Sequence, residues 1–219
     1  APEAIPIDVV ISPEEIVSHY IKSLLDLPGS LQVMDFANGL VQLVAVKAEE
    51  GGPLINQELK TLREHMPHVD TRVAAIFRKG NPIIPQGDTV IERHDEVFFI
   101  AAKENIRLVM SEMREIDSPY KRIIIAGGGS IGERLAASIE TKYRTKILEI
   151  NLKRCDILAE SLNHTTVLHA DASDREILLE EGIDSADVFL ALTNNDEANI
   201  MSSLLAKRLG AARVMTIIA

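Results

Sequence analysis

Residues 122–135 read RIIIAGGGSIGERL, and this stretch decides the fold that we predict for the second half of the chain. Four apolar residues lead directly into three glycines and then into a segment with small and polar residues. That order predicts a buried strand, a tight turn and the first turn of a helix. Gly127, Gly129 and Gly132 fill the G-x-G-x-x-G template. In that template the first glycine permits the turn, the second lets backbone approach a diphosphate, and the third lets the helix pack on the strand.

An acidic residue downstream strengthens this interpretation. Glu149 belongs to the next apolar run, about 20 residues further on, where such folds place the group that binds a ribose hydroxyl. A carboxylate there repels a 2′-phosphate, which disfavours NADP. The cofactor-binding residues predicted from the loop are Gly127, Gly128, Gly129, Ser130, Ile131 and Gly132, with the N–H groups of Gly129, Ser130 and Ile131 facing the anion. A strand–turn–helix without a ligand is the alternative.

The chain from residue 118 onward alternates between apolar runs and helical patterns. This alternation predicts a Rossmann-like, doubly wound parallel sheet, which places the chain in the α/β class. The predicted strands are 122–126, 146–150, 165–169, 187–192 and 213–218. Ser173 and Glu176 have the spacing of a capping box, and either Asn194 or Asn195 can cap the last helix.

Ligands in open parallel sheets bind beyond the carboxyl ends of the strands. This rule adds Asp171, which follows the third strand, and Thr193 and Asn194, which follow the fourth. Asp171 has a second interpretation, as a helix cap. Arg154 has two interpretations as well, because it can lie over an adenine or a phosphate, or it can be a solvated helix arginine.

Residues 30–117 predict a smaller, mainly antiparallel α+β module. Its predicted strands are 40–46, 71–78, an edge strand at 83–85, and a hairpin of 89–91 with 97–101; its predicted helices are 55–66 and 104–113. We find no catalytic constellation in this module. His65 and His68 are three residues apart, but Pro67 breaks the helix that would align them, so no metal site is predicted.

Residues 1–29 predict a strand at 7–11 and a helix that begins after Ser12 and ends before Pro28-Gly29. A strand and one amphipathic helix cannot form a domain alone. We therefore predict that residues 1–29 are the end of a preceding domain of the same dinucleotide-binding kind. Correspondingly, we predict that residues 118–219 lack the last strand of such a domain.

Composition excludes several classes of protein. A net charge of -10 argues against a nucleic-acid partner, which requires a basic surface. The apolar runs fall short of the ~20 residues that span a bilayer, so direct membrane insertion is not expected. The first residues do not have the pattern of a signal peptide. A single cysteine, Cys155, suits a reducing cytoplasm and is expected to be a packed helix residue.

These features together resemble the RCK (KTN) family, which regulates potassium channels and transporters. The resemblance lies in residues 123–136, 149–151, 169–174 and 192–199, and, for the smaller module, in residues 42–44, 52–54, 75–78, 85–90 and 95–99. Ala170 departs from the glycine that the family usually has there. The resemblance makes residues 1–29 the strand and crossover helix of a first N-type domain, residues 30–117 a C-type subdomain, and residues 118–219 a second N-type domain.

The resemblance also implies a function. Family members are cytoplasmic regulatory subunits at the inner face of the plasma membrane, attached to a membrane-embedded potassium transporter and assembled as homo-oligomers, either dimers or rings. They bind NAD(H) and, in related members, ATP or ADP. Carried onto this sequence, the nucleotide contacts are Gly127–Ile131, Glu149, Asp171, Thr193 and Asn194.

Three functions follow from these observations. The leading one is a nucleotide-sensing binding module without catalytic residues. The second is an NAD-dependent oxidoreductase, which needs a proton donor such as Lys, His or Tyr facing the nicotinamide. The third is a dinucleotide fold that serves only as an assembly surface, with an empty site.

Overall fold

The computed structural model describes residues 11–218. They form two compact units, one of residues 23–119 and one of residues 120–218 together with residues 11–22. The strand predicted at 7–11 lies outside the described residues except for Ile11, which has no regular structure. The assignment of residues 1–29 to a preceding domain therefore stays a prediction. Within the described range, no helix combines the length and apolarity needed to cross a membrane.

The first helix, α1 (Pro13–Asp26), begins as its sequence predicts. The hydroxyl of Ser12 accepts a hydrogen bond of 3.3 Å from the amide of Glu15, and Pro13 occupies the first helical position. Gly29, at φ +87°, follows the end of the helix. The buried apolar side chains of α1 are Ile21, Leu24 and Leu25.

The unit of residues 23–119 contains a five-stranded antiparallel sheet with the strand order β1-β2-β5-β3-β4. Its elements in chain order are β1 (Ser30–Phe36), β2 (Val41–Lys47), α2 (Thr61–His65), β3 (Thr71–Arg78), β4 (Asn81–Ile83), β5 (Glu96–Ala102) and α3 (Ile106–Met113). Helix α3 packs on β2 and β5. The antiparallel α+β module is therefore confirmed, with the edge strand two residues earlier than predicted.

Three details of this module differ from the predictions. Strand β1 has no counterpart among the predicted strands. The helix predicted at 55–66 is only the short α2, because Ile55 and Glu58 form β-bridges with Ile91 and Val90. Those same bridges mean that residues 89–91 do not form the predicted hairpin with β5, which pairs with β2 and β3. The last two differences arise from pairing between segments that are distant in sequence, whereas β1 pairs with the strand that directly follows it.

An ion pair joins the end of strand β3 to the turn that precedes β5. Asp95, which is fully buried, accepts hydrogen bonds from Nε and Nη2 of Arg78 at 2.9 and 2.8 Å. The Asp95 hydrogen bond, the largest favourable contribution, raises the pKa of Arg78 further above its ordinary value. Since the charge of Asp95 is both paired and hydrogen-bonded, its burial is tolerated.

The other unit contains a five-stranded parallel sheet with the strand order β10-β9-β6-β7-β8. Its elements are β6 (Arg122–Ala126), α4 (Ser130–Ile139), β7 (Arg144–Glu149), α5 (Leu152–Ser161), β8 (Thr166–His169), α6 (Arg175–Glu180), β9 (Val188–Ala191), α7 (Asp196–Leu209) and β10 (Arg213–Thr216). The five predicted strands are present. The α/β doubly wound fold is thus confirmed.

The order of these strands fixes where a ligand can bind. The chain runs outward from β6 to β7 and β8, then crosses back to β9 and β10 on the other side of β6. This reversal creates a switch point between β6 and β9, at whose carboxyl end a crevice opens. The residues that follow β6, β7, β8 and β9 therefore meet at one edge of the sheet.

Candidate nucleotide-binding site

The glycine loop after β6 has a shape that two of its glycines require. Gly127 has φ +103°, and a Cβ there would lie 2.9 Å from the backbone nitrogen of Thr193. A Cβ on Gly132 would lie 2.1 Å from the carbonyl oxygen of Gly127. A side chain at either position would thus collide with backbone, so the turn and the close approach of α4 both depend on glycine.

Gly129 is different because a Cβ at this position meets nothing within 4 Å. It is the N-cap residue of α4, and within the described chain no side chain caps that helix end. The first amides of α4 therefore keep their donors for an external acceptor, and the helix dipole adds positive potential there. This is the geometry in which a helix N-terminus binds phosphate.

Gly128 faces the protein instead. A Cβ at Gly128 would lie 2.3 Å from Cδ1 of Leu158 on α5. Its amide donates a hydrogen bond of 2.7 Å to Oε2 of Glu149. Gly128 and Gly132 thus shape the loop, and neither lies among the residues that line the cavity described below.

Glu149 ends β7 and points at the glycine loop. Besides the bond from Gly128, its Oε1 accepts a hydrogen bond of 2.8 Å from the amide of Asn151. A carboxylate has about four lone-pair sites, so two backbone bonds leave capacity for a ribose hydroxyl. Glu149 therefore lies where the sequence predicted it, and it is already oriented by the backbone.

Arg154 lies on α5 and is bound to the protein at two points. Its Nε donates to the carbonyl oxygen of Gly128 at 2.6 Å, and its Nη2 donates to Oε2 of Glu133 at 2.6 Å. The interpretation of Arg154 as a solvated helix arginine is therefore wrong. Hydrogen bonds to Glu133, first from Ser161 and then from Arg154, lower the pKa of the Glu133 carboxyl.

Asp171 follows β8 and is not a helix cap. Its Oδ1 accepts from the amide and the hydroxyl of Ser173, at 2.8 and 2.7 Å. Helix α6 is capped by Asp174, which accepts from the amides of Glu176 and Ile177. The predicted Ser173–Glu176 capping box is therefore wrong, and the cap lies one residue later. Asp171 remains exposed at the crevice.

In the segment after β9, two side chains form hydrogen bonds within the protein and one is exposed to solvent. Both the amide and the hydroxyl of Thr193 donate to Oδ1 of Asn199, at 2.9 and 2.6 Å. Asn195 caps α7 by accepting from the amide of Ala198 at 2.7 Å. Because Asn195 provides the cap, the exposed Asn194 is left to face the crevice.

A cavity of about 760 Å³ joins these residues at the carboxyl edge of the sheet. Its volume is within the usual range for small-molecule and cofactor sites. Of the predicted site residues, it is lined by Gly127, Gly129, Ser130, Ile131, Glu149, Arg154, Asp171, Thr193 and Asn194. The structure thus brings together nine residues from four segments of the chain, one at or beyond the end of each of the strands β6, β7, β8 and β9.

The cavity also has lining residues that sequence reasoning missed. Among them are Glu14 in the first turn of α1, Asn151 after β7, and Ala198 and Ser202 on α7. The pKa of Glu14 is lowered by its own backbone hydrogen bond and by the Ser12 hydroxyl, so the residue is a carboxylate at neutral pH. No sequence signal places α1 beside the glycine loop. Ser202 had a weak signal, since it lies on the buried face of α7.

The described lining is acidic. It carries the carboxylates of Glu14, Glu149 and Asp171 and the guanidinium of Arg154, which is already paired with Glu133. Within residues 11–218 we find no group of three or more His, Cys, Asp or Glu side chains arranged to hold a metal ion. In the unit of residues 23–119, Nδ1 of His65 lies 2.6 Å from Oε2 of Glu112. Backbone amides, more than lysines or arginines, are the donors available for an anion.

Two protein-family models match the chain, one in each unit. Residues 43–114 match the TrkA-C domain, and residues 123–219 match the TrkA-N domain. The chain is 59% identical over 218 residues to the Trk system potassium uptake protein TrkA of Halomonas elongata, covering 100% of this chain and 48% of that protein. It is 57% identical over 215 residues to the protein of the same name from Vibrio alginolyticus, covering 98% of this chain and 47% of that protein.

Solved structures show the same fold at low sequence identity. The GsuK RCK domain is 17% identical with a TM-score of 0.56, over 93% of this chain and 48% of that one. The GsuK channel bound to NAD is also 17% identical with a TM-score of 0.56, over 94% of this chain and 40% of that one. The chain spans about half the length of the curated relatives it matches.

Proposed function

Because this chain belongs to the protein family built from TrkA-C and TrkA-N domains, we propose that it is a nucleotide-sensing regulatory part of a potassium uptake system. Its ligand in this proposal is NAD(H), bound in the cavity beside the glycine loop. The diphosphate lies against the first amides of α4, and a ribose hydroxyl donates to Glu149. The NAD-bound GsuK channel, which has the same fold, supports this choice of ligand.

One observation carries the proposal. The uncapped N-terminus of α4 and the carboxylate of Glu149 face the same cavity, with open space at Gly129. An adenine dinucleotide needs both features, since its diphosphate is an acceptor of hydrogen bonds and its ribose hydroxyls are donors. A cavity that bound only an apolar ligand would need neither.

The charges of the lining favour a dinucleotide over a nucleoside triphosphate. Among the described lining residues, Glu14, Glu149 and Asp171 repel anions, and the guanidinium of Arg154 is paired with Glu133. A diphosphate bridge carries fewer negative charges than a triphosphate, so it meets less repulsion. ATP and ADP remain part of the proposal as weaker ligands, and NADP is disfavoured by Glu149.

We propose binding without turnover. The described residues that line the cavity contain no Lys, His or Tyr to act as a proton donor beside a nicotinamide. The oxidoreductase alternative lacks that residue type at the site. Incubating the chain with NADH and a panel of aldehydes and ketones should therefore leave the absorbance of NADH unchanged.

The role in the whole protein is a broader proposal. Residues 1–29 are the end of a first N-type domain, residues 30–117 a C-type subdomain, and residues 118–219 a second N-type domain. The protein lies in the cytoplasm at the inner face of the plasma membrane, forms a dimer or a ring, and binds a membrane-embedded potassium transporter. Nucleotide binding shifts the arrangement of the domains by its differential affinity for two states, typically about 1–3 kcal/mol of coupling.

The test is calorimetric titration of the chain with NAD, NADH, ADP and ATP. Gly129→Asp should abolish NADH binding, because the new carboxylate projects into the space for the diphosphate while the fold has room for it. The matched control is Gly87→Asp in the other unit, where a Cβ meets only ordinary contact with Lys60 at 3.9 Å.

Gly87→Asp should bind NADH as the wild type does. A wild-type chain that binds none of the four nucleotides would contradict the proposal, and so would unchanged NADH binding by Gly129→Asp. Consumption of NADH with any carbonyl substrate would favour the oxidoreductase alternative instead.

A further inference from the structure

The peptide groups on the two sides of Gly128 are both fixed by side chains. The N–H of Gly128 donates to Oε2 of Glu149 at 2.7 Å, and its carbonyl oxygen accepts from Nε of Arg154 at 2.6 Å. Two cavity-lining side chains therefore hold the centre of the glycine loop between them. The positions of the neighbouring Gly129 and Ser130 amides depend on this clamp.

Arg154 divides its donors between two protein groups and the cavity. Nε bonds to Gly128 and Nη2 bonds to Glu133, at 2.6 Å each. An arginine has five N–H donors in a fixed plane, so fixing two nitrogens also fixes the third. Nη1 has no acceptor among the described residues, and Arg154 lines the cavity. Its remaining donors are available to a ligand phosphate.

Glu133 accepts a hydrogen bond from that guanidinium and does not itself line the cavity. It lies on the first turn of α4, and its other oxygen, Oε1, accepts a hydrogen bond of 2.7 Å from Ser161 at the end of α5. The side chains of Glu133 and Arg154 are 30% and 27% exposed, so the pair is partly shielded from water. Glu133 thus connects both helices that flank the loop.

We infer that Glu133 is a positioning residue for nucleotide binding. It sets the plane of the Arg154 guanidinium, so that Nε fixes the Gly128 carbonyl while Nη1 faces the phosphate of the ligand. Ser161 in turn holds Glu133 in place. This inference rests on the proposed function and adds to it a residue that does not itself touch the ligand.

A different role for Glu133 predicts the opposite effect of its removal on nucleotide binding. If it acted only as a counter-charge, it would reduce the attraction of Arg154 for an anionic ligand. Removing its charge would then strengthen binding. If it positions Arg154, removing its oxygen atoms weakens binding, whereas an amide oxygen in the same place largely preserves it.

The test is NADH affinity in Glu133→Ala and Glu133→Gln, each made in the wild-type chain and in Arg154→Ala. We expect Glu133→Ala to weaken binding about tenfold, as loss of a hydrogen bond to a charged group does. Glu133→Gln should remain within about threefold of wild type, because its amide oxygen accepts from Nη2. In the Arg154→Ala background, Glu133→Ala should have no further effect, since the two residues act as a unit.

Two further variants complete the design. Ser161→Ala should weaken binding about threefold by freeing Glu133, and it tests the inference independently should Glu133→Ala not fold. The control for charge is Glu160→Ala on α5, which is exposed and outside the cavity, and which should bind as the wild type does. Circular dichroism and thermal unfolding establish that each variant is folded.

Several outcomes would overturn the inference about Glu133 and leave the proposed function standing. These are wild-type or tighter binding by Glu133→Ala, equal losses for Glu133→Ala and Glu133→Gln, and a loss of the same size in the Arg154→Ala background. Wild-type binding by a Ser161→Ala variant would count against it as well. A wild-type chain that binds no dinucleotide overturns the proposed function itself, so the two failures are distinguishable.

Discussion

The carboxylate of Glu149 and the backbone of Gly128 are joined by a hydrogen bond of 2.7 Å between Oε2 and the amide nitrogen. The second oxygen of Glu149 is bonded to the amide of Asn151 at 2.8 Å. The end of β7 and the glycine loop after β6 are therefore one hydrogen-bonded unit. Glu149 is oriented before any ligand binds, which reduces the entropy lost on binding.

The first prediction concerns this carboxylate. In Glu149→Gln one of the two backbone amides loses its acceptor, because the glutamine presents N–H groups there, and we expect a loss of about 1–3 kcal/mol in stability. NADH affinity should fall about tenfold or more, since the ribose loses a charged acceptor. The preference for NADH over NADPH should also narrow, because the charge that repels a 2′-phosphate is gone.

Calorimetry with NADH and NADPH measures both effects, and Glu160→Gln on the exposed side of α5 is the control. Equal affinity of the wild-type chain for the two cofactors would show that Glu149 does not select between them.

The second prediction contrasts two glycines three residues apart. Gly132→Ala places a methyl group 2.1 Å from the carbonyl oxygen of Gly127, so α4 must move away from β6. We expect a loss of about 3 kcal/mol in unfolding free energy. Gly129→Ala meets open space and keeps an extended backbone at φ -65°, ψ -171°, so its cost should not exceed about 1 kcal/mol.

Urea unfolding monitored by circular dichroism distinguishes the two variants. If Gly132→Ala lost as little stability as is expected for Gly129→Ala, α4 would tolerate a methyl group at its closest approach to the loop, which contradicts this packing.

The third prediction concerns Asn199, which is fully buried. Its Oδ1 accepts from the amide and hydroxyl of Thr193, and its Nδ2 donates to the carbonyl oxygens of Thr193 and Ile217 at 2.9 and 3.1 Å. Asn199→Ala removes the partner of the Thr193 amide and of the two carbonyl oxygens, and we expect a loss of about 3 kcal/mol in unfolding free energy. NADH binding should weaken as well, because Thr193 and Asn194 line the cavity.

Asn194→Ala is the matched control, since this exposed side chain has no such partners to leave unpaired, and its stability should change by less than about 0.5 kcal/mol. Thermal unfolding compares the stability of the Asn199→Ala and Asn194→Ala variants. A stable Asn199→Ala variant would show that the loop after β9 is held by other contacts.

The fourth prediction is a dependence on pH. Burial alone would raise the pKa of Glu140, but hydrogen bonds from His164, Thr165 and Asn163 outweigh it and lower the pKa below 4.5. A lowered folded pKa stabilises the fold above the unfolded value, and this stability is lost as the pH falls through the folded value. Glu140→Gln should therefore be less stable than wild type at pH 7, by about 1 kcal/mol.

The difference between Glu140→Gln and wild type should shrink as the pH falls below about 4.5, where the wild-type carboxyl begins to take up its proton in the unfolded state. Unfolding free energies at pH 7, 5 and 3 measure it. A difference that stays constant down to pH 3 would contradict the assignment of this stability to the charge.

Local features of the chain were predictable. The strands of the parallel sheet, the turn at Gly127 and the start of α1 follow from apolar runs, glycines and capping residues within a few positions of one another. Strand β1 was not predictable, because its alternation is interrupted by a bulge between Ser30 and Gln32 and because Met34 and Phe36 are exposed. The helix predicted at 55–66 is too long for a different reason, since Ile55 and Glu58 pair with residues more than 30 positions away.

The sequence by itself determined that a strand, a glycine turn and a helix follow one another, and that Glu149 lies at the end of the neighbouring strand. Parallel strands bring their carboxyl ends to one edge, so this much follows from order and spacing. Only the tertiary structure decided that Arg154 is bound to Gly128 and Glu133, that Asn199 holds Thr193, and that Glu14 faces the cavity. Those partners lie on different elements, and which side chains meet depends on how the helices pack on the sheet, which spacing along the chain does not specify.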